Sequence, residues 1–432
     1  MSTETATEVP SYPQFAPPGK GLLINRNFAL LSIGQAISNI GDFVYSTTLL
    51  VWVYTLTHSA AAVSGVLIAQ YAPIFLLGPV AGVFVDRWNR RQTMIVSDIA
   101  QTIAAVLPLL APLAFRLPTI YANVFLLSMF SRFFLPARAG VQQVIVAPEQ
   151  QGQAASIGQI TLAMSIIIGP AIATPLFFIV GPIIAVAINS ASFLVSAICL
   201  QAMRISKEAL QPRLLSGAGE TKPGIAAVIK ELLAGFRFVG KTRVLLVIVI
   251  LILIAMTGAG ALNALDVIFV THNLHVSASL YGPLAGVGGV GMLIGAICAG
   301  LVVRKLKPKY LLVGSILLLG LGIIIYSIQT WYFAALVINF IIAIPQGGID
   351  VGFAPLFLAV TPNSMIGRVQ SVIETASYAA SLISISLAGS FGQFIPVSII
   401  FAIGGMSITL AGIFGWFTLP VEVPAQSQSS SV

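Results

Sequence analysis

From Asn27 to Thr418 the chain alternates long apolar runs with short polar breaks, and that alternation leaves few folds open. Each run exceeds the ~18 residues an α-helix needs to cross a hydrocarbon core about 30 Å thick. In lipid every backbone N–H and C=O must be paired within the protein, which selects helices for runs of this length. Charged residues make up 8% of the chain, and the mean hydropathy is +1.00. A water-soluble domain carries roughly a quarter charged residues. The reading is an all-α polytopic membrane protein with twelve transmembrane helices, over 27–56, 61–85, 92–114, 119–146, 154–180, 182–203, 244–270, 278–303, 309–329, 331–360, 369–391 and 395–418.

The breaks divide the chain into five parts: a polar tail (1–25), six spans (26–203), a linker with an amphipathic helix (204–243), six more spans (244–419) and a second polar tail (420–432). The tails are rich in Ser, Pro, Gln and Thr and are expected to be disordered. The first 25 residues have no short apolar core, so no cleaved signal is expected. The net charge of +8 suggests no nucleic-acid partner, because the basic residues sit in short loops. Eighteen of the 21 Lys and Arg fall on the side carrying the N-terminal tail and the even-numbered breaks. By the positive-inside rule, both termini are expected in the cytoplasm and the chain in the cell membrane. Cys199 and Cys298 lie in apolar runs with no metal or disulfide spacing.

An internal repeat supports the six-plus-six division. At an offset of 217, Gly65, Leu67, Leu76, Gly78, Val85 and Arg87 meet Gly282, Leu284, Leu293, Gly295, Val302 and Arg304. Both segments are the second span of their half, and both end in a basic loop. Two pseudo-symmetric six-helix bundles are a parallel-repeat architecture of secondary transporters.

Charge is concentrated after span 2, in GPVAGVFVDRWNRR. Gly78 and Gly82 share one helix face and would admit a neighbouring helix closely; Asp86 falls on that face a turn later. The bland reading is a stop signal for membrane insertion. The functional one is a gate that holds two halves together in one state and releases them in another.

GVFVDRWNRR resembles the loop 2–3 signature of the major facilitator superfamily. The stretches GQAISNIGDFVYSTTLLVWVYTLTHSA, VSDIA, FFLPARAG and TPNSMIGRVQS resemble its twelve-span drug and siderophore exporters, of the macrolide efflux and enterobactin export type. The resemblance implies the major facilitator fold and a cytoplasmic gate at Asp86, Arg87, Arg90 and Arg91, extended to Asp98 and Arg138. In the second half Val303 stands where the signature has its acid, so a matching latch at Arg304 lacks a carboxylate. The antiporter glycine-proline pattern of span 5 is reduced to Gly169-Pro170.

Ionisable residues within the hydrocarbon region are costly and usually functional. Asp42 (span 1), Arg132 (span 4) and Asp350 (span 10) fall near the midplane. Asp266 and Glu374 lie nearer the ends of spans 7 and 11. Gln35, Asn39, Asp42 and Ser46 form one polar stripe, and Asn339, Gln346 and Asp350 another; both are expected to face a wet cavity. Asp42 and Arg132 either form a static ion pair or belong to a proton-coupling and substrate cavity together with Asp350, Asp266, Glu374, Asn39, Gln346 and Tyr45. Tyr45, Trp52, Tyr71, Phe353, Phe357 and Tyr378 are candidates for an aromatic lining.

Two motifs are set aside. GFRFVGKT (Gly235–Thr242) fits a phosphate loop but has no strand before it and no room for a nucleotide domain. GVGGVG (Gly286–Gly291) lies within a span. His272 and His275 read as solvated loop residues rather than metal ligands.

The expected function is a proton-coupled antiporter exporting lipophilic or amphipathic small molecules by alternating access. It would use the proton gradient as its energy source and no cofactor. The expected partners are substrate, protons and the bilayer, with no nucleotide and no nucleic acid, and the chain is expected to be a monomer. The alternatives are a siderophore or lysophospholipid carrier of the same fold and a non-transporting scaffold or receptor. No nucleophile–base pair or metal cluster supports an enzyme.

Overall fold

A computed structural model describes residues 24–85, 87–205, 225–303, 305–362 and 365–420. Asp86, Arg304, residues 1–23, 206–224 and 421–432 lie outside the described residues. Among the described residues thirteen α-helices follow one another: α1 (Arg26–Thr57), α2 (Ala60–Val85), α3 (Arg90–Leu110), α4 (Arg116–Ile145), α5 (Gln151–Val180), α6 (Pro182–Ala202), α7 (Ile225–Lys241), α8 (Arg243–His272), α9 (Tyr281–Val302), α10 (Pro308–Ser327), α11 (Tyr332–Val360), α12 (Ile366–Phe391) and α13 (Val397–Thr418). Among the described residues, eleven helices are long and apolar enough to cross a membrane. At 32 residues α1 has the length, and its Gln35, Ser38, Asn39, Asp42 and Ser46 dilute its apolar character.

Side-chain capping starts two of these helices. The Phe28 N–H donates to Asn25 Oδ1 at 2.8 Å and the Gln92 N–H to Asn89 Oδ1 at 3.1 Å. His58 closes α1 in the left-handed region (φ 47°), its N–H donating to the Tyr54 carbonyl at 2.8 Å. His275, which follows α8, also has a positive φ, 54°. These two are the described non-glycine residues with positive φ, and they stand 217 positions apart, the offset of the sequence repeat. Duplication has kept a backbone corner as well as side chains.

Packing obeys the same symmetry. In the first bundle α1 packs on α5 and α6, α3 on α4 and α6, and α2 on α4. In the second, α8 packs on α12 and α13, α10 on α11 and α13, and α9 on α11. The halves meet through two equivalent pairs, α2 with α12 and α5 with α9.

We call the face bearing the Lys/Arg-rich breaks the basic face, and the other the opposite face. The bundles share one apolar core, in which Val51, Val53 and Val63 of the first half belong with Phe269, Val270 and Ile385 of the second toward the opposite face; within the second bundle alone it continues to Leu312, Val313 and Leu419 near the basic face. At the basic face each half keeps a separate core: Phe28, Val85, Met94, Val141 and Leu200 in the first, Val239, Leu245, Val369 and Val372 in the second. The cross-half hydrogen bonds also lie at the opposite face. Thr174 Oγ1 of α5 donates to the Ser279 carbonyl at 2.8 Å and accepts from the Gly282 N–H at 3.0 Å. Tyr54 of α1 accepts from Thr271 Oγ1 at 2.8 Å and lies 3.0 Å from His272 Nε2. Among the described residues the halves are therefore joined directly at the opposite face, while at the basic face their cores are separate and α7 reaches α2.

The amphipathic helix α7 lies on the basic face against α12, α8 and α2. Its Gly235 packs on the Arg368 carbonyl, and Glu231 pairs with Arg368 at 3.6 Å. Gly235–Lys241 are helical, which removes the backbone curl a phosphate loop requires. Likewise Gly286–Gly291 lie within α9, where Gly286 and Gly289 pack on α5.

Candidate functional site

Three adjoining chambers occupy the space within and between the bundles. The first, of about 460 Å³, is lined by Asp42, Gln70, Gln101, Ser128, Ser131 and Arg132 from the first half and by Asn263 and Tyr281 from the second. The second, about 310 Å³, shares Asn263 and Tyr281 and adds Asp266, Tyr326, Asn339 and Gln346. The third, about 290 Å³, shares Gln346 and lies among all six helices of the second bundle. Its lining is apolar except for Gln346 and Asp350. The space thus grades from polar in the first half to apolar in the second.

Each charge in this space has distinct surroundings. Asp42 is exposed to its chamber although it lies in the middle of α1. Arg132 lines the same chamber, but no Asp42–Arg132 ion pair occurs among the described residues, so the static pair allowed by the sequence is not formed in this conformation. Arg132 instead lies within electrostatic reach of Tyr378 and Glu374 of α12, across the two halves, and its Nε has no hydrogen-bond partner. Glu374 is exposed and accepts from Gln370 Nε2 at 3.1 Å. Asp266 accepts from the Tyr326 hydroxyl at 3.1 Å. Gln346 and Asp350, one turn apart on α11, are both exposed to the third chamber. Asn39 is half-buried, one turn nearer the basic face than Asp42.

Tyr45 lines the first chamber, but it is 2% exposed and its hydroxyl donates to Asn123 Oδ1 at 2.8 Å, so it pins α1 to α4. Trp52 is buried beneath the Arg116 guanidinium, 5.9 Å from the ring centre. Tyr71 and Tyr378 meet edge to face across α2 and α12, with centroids 5.7 Å apart. Phe353, on the wall of the third chamber, stacks on Phe357.

The gate residues differ from expectation in a way that follows from the parted basic face. A Cβ on Gly78 or Gly82 would meet no heavy atom within 4 Å, so these glycines admit no helix in this conformation. Arg90 lies along Gly140 of α4 and donates to its carbonyl at 3.5 Å. Arg91 caps α6, donating to the Leu200 and Gln201 carbonyls at 2.9 and 2.6 Å. Both arginines therefore brace their own bundle. Arg87 is exposed. Arg138 lies inside the first bundle, lining a small cleft with Gln35 and Gly158. Asp98 is 1% exposed on α3, which moves it from the gate to the bundle interior. Asp86 and Arg304 are outside the described residues.

Sequence reading missed Asn123, Asn189 and Tyr54. A signal existed for Asn189: it shares one face of α6 with Ser192 and Ser196, at steps of three and four.

Paired six-helix bundles around chambers that hold charged side chains, with one core joining the halves toward one face, define a membrane transporter rather than an enzyme or a soluble binding protein. A family model described as transmembrane secretion effector, of the major facilitator group, matches residues 16–431, and the chain belongs to that family. It is 26% identical to the uncharacterized transporter YfiS of Bacillus subtilis, over 89% of this chain and 91% of that one. It is 25% identical to macrolide efflux protein A of Streptococcus pyogenes, over 89% and 94%. Its fold is similar to a bacterial homologue of the iron transporter ferroportin in an inward-facing state (TM-score 0.70, 15% identity, covering 90% of this chain and 98% of that one).

Proposed function

We propose that the chain is a proton-coupled exporter of lipophilic or amphipathic small molecules, working by alternating access in the cell membrane with both termini in the cytoplasm. The observation that carries this reading is the division of the apolar core: one shared core toward the opposite face, two separate cores at the basic face. A space open at one face only is one end-state of a two-state transporter. With the basic face cytoplasmic by the positive-inside rule, this state would load substrate from inside.

The gradation of the chambers supports the substrate class. The third has room for apolar bulk beside a single carboxylate, and the first is polar and holds Asp42. Similarity to a macrolide efflux protein supports the outward direction. Few groups compete for the proton: within the chambers the acids are Asp42, Asp266 and Asp350. A membrane potential supplies about 2.3 kcal/mol per charge moved through 100 mV, enough for useful accumulation without nucleotide.

The test is reconstitution into liposomes with an imposed pH gradient and a panel of lipophilic compounds including a macrolide, with and without an ionophore. Transport that follows the gradient and collapses with the ionophore is expected. Flux indifferent to the gradient for every transported compound would remove proton coupling.

A further inference from the structure

Where α1, α3 and α6 meet, inside the first bundle, a polar cluster remains that the chambers do not account for. Asp98 of α3 is 1% exposed, and its Oδ2 has no hydrogen-bond partner. Asn189 of α6 is fully buried, and neither its amide oxygen nor its amide nitrogen is paired. Buried polar atoms left orphaned in this way are rare and call for an explanation, such as an ion, a water or a proton-transfer role. Asn189 and Ser192 stand directly against Gly41, beside Asp42. The Asn189 side chain lies within hydrogen-bonding reach of Asp42, Asp98 lies within electrostatic reach of Asp42, and the Ser196 hydroxyl lies beside Asp98.

No counter-charge reaches this cluster. On α1 the other titratable group nearby is Tyr45, whose hydroxyl is held by Asn123. On α6 the sole titratable residue is Cys199, which lies against Gly34. The neighbouring α5 carries none. On α4, Arg132 lies toward Tyr378 and Glu374 and Arg138 toward Gln35 and Gly158. Neither comes within ion-pair distance of Asp42 or Asp98 among the described residues. Asp98 is enclosed without a cation and has a second carboxylate within electrostatic reach, an arrangement in which keeping both ionised is costly.

We propose that Asp42, Asp98 and Asn189 form a single-proton site that spans α1, α3 and α6, loaded from the first chamber through Asp42 and sealed at Asp98. Asp42, the member open to the chamber, takes a proton from water. The Asn189 oxygen then accepts a hydrogen bond from the protonated carboxyl, while its N–H donates to the ionised partner. The pair carries one negative charge in total, and both orphaned amide atoms become paired. The proposal rests on the proton-coupled reading for its use in transport but not for its existence. It moves Asp98 from a gate at the membrane surface to the coupling machinery.

Infrared difference spectroscopy of the substrate-free chain in lipid nanodiscs, through a pH titration, tests it directly. The wild type is expected to show a protonated-carboxyl band that Asp42→Asn and Asp98→Asn each abolish and that Asn189→Leu shifts. Melting temperatures check that the variants are folded, and if Asp98→Asn fails to fold, the other two still read the pair. A band unchanged in Asp98→Asn or in Asn189→Leu would overturn the site. So would a band that sodium ions displace at constant pH, since the cluster would then be a cation site. Liposome flux separates the two claims. Gradient-driven flux that persists in Asp98→Asn sinks the pair and spares proton coupling. Wild-type flux indifferent to the gradient, with the band behaving as expected, sinks coupling and spares the pair.

Discussion

Closure at the opposite face depends on how closely α5 and α9 approach at Gly282, and a single methyl group tests it. The Gly282 N–H donates to Thr174 Oγ1 at 3.0 Å, and a Cβ at this position would fall inside the contact distance of both that oxygen and the Pro170 carbonyl. The Pro170 oxygen belongs to backbone and cannot rotate away, so Gly282→Ala must push the two helices apart. Overpacking of this kind costs about 1–3 kcal/mol. The cost falls on the conformation described here and not on one in which α5 and α9 have separated. At about 2 kcal/mol the equilibrium shifts roughly 30-fold toward the state open at the opposite face, since 1.4 kcal/mol is about tenfold. The assay is the reaction of an impermeant thiol reagent with Ser46→Cys, which lines the first chamber, in a Cys199→Ser, Cys298→Ser background. Attack from the opposite face should accelerate roughly 30-fold, and attack from the basic face should slow. Gly300→Ala, where a Cβ meets nothing, is the control and should leave both rates alone. If Gly282→Ala leaves the ratio of the two rates unchanged, the α5–α9 contact is not what closes the chamber.

Gly78→Leu should leave the melting temperature of the present conformation nearly unchanged, because the site is open, yet depress liposome transport at least tenfold if α2 must close there in the other state. Transport at the wild-type rate would exclude a helix contact at Gly78 in either state. Arg91→Ala removes two hydrogen bonds from a guanidinium to the end of α6 and should cost about 1–3 kcal/mol in denaturant unfolding, with little effect on substrate affinity. Tyr45→Phe leaves Asn123 Oδ1 without its donor and should likewise cost about 1–3 kcal/mol while leaving the KM for transport unchanged; a raised KM would put the hydroxyl back in the binding site. Glu231→Gln breaks a pair that is largely exposed on both sides and should change stability by less than about 1 kcal/mol.

Periodicity and charge placement suffice to read the bundles from the chain, because lipid leaves a long apolar run few alternatives to a helix. The helix packing repeats between the halves, yet the matched glycines take different partners: Gly65 meets Tyr121 of α4 in its own half, and Gly282 meets Pro170 and Thr174 of α5 in the other. What local pattern could not give is which conformation the molecule holds. Gly78 and Gly82 have the spacing of a contact, but whether a partner helix is present depends on the state of the whole assembly. Arg90 and Arg91 look alike in the sequence, yet one lies along α4 and the other caps α6, because consecutive residues at the start of α3 point about 100° apart around its axis. Asp42 and Arg132 share a depth and a chamber and still do not pair, since depth along a helix says nothing about direction around it. Asp98 differs from its sequence expectation for a similar reason: it follows the basic signature in the chain, while its helix carries it into the bundle interior beside Ser196.

The polar stripe along α1 has a consequence for how the molecule is made. A carboxylate at the centre of a span costs about 3 kcal/mol at the moment of membrane insertion, and here the burden falls on the earliest span of its bundle. The helices that pack most extensively on it, α5 and α6, are synthesised last in their half. The nascent chain must therefore hold a poorly anchored leading helix until more than a hundred further residues have been translated. A half-length product that stops after α4 should lose that helix to water, and quality-control proteases would find it there.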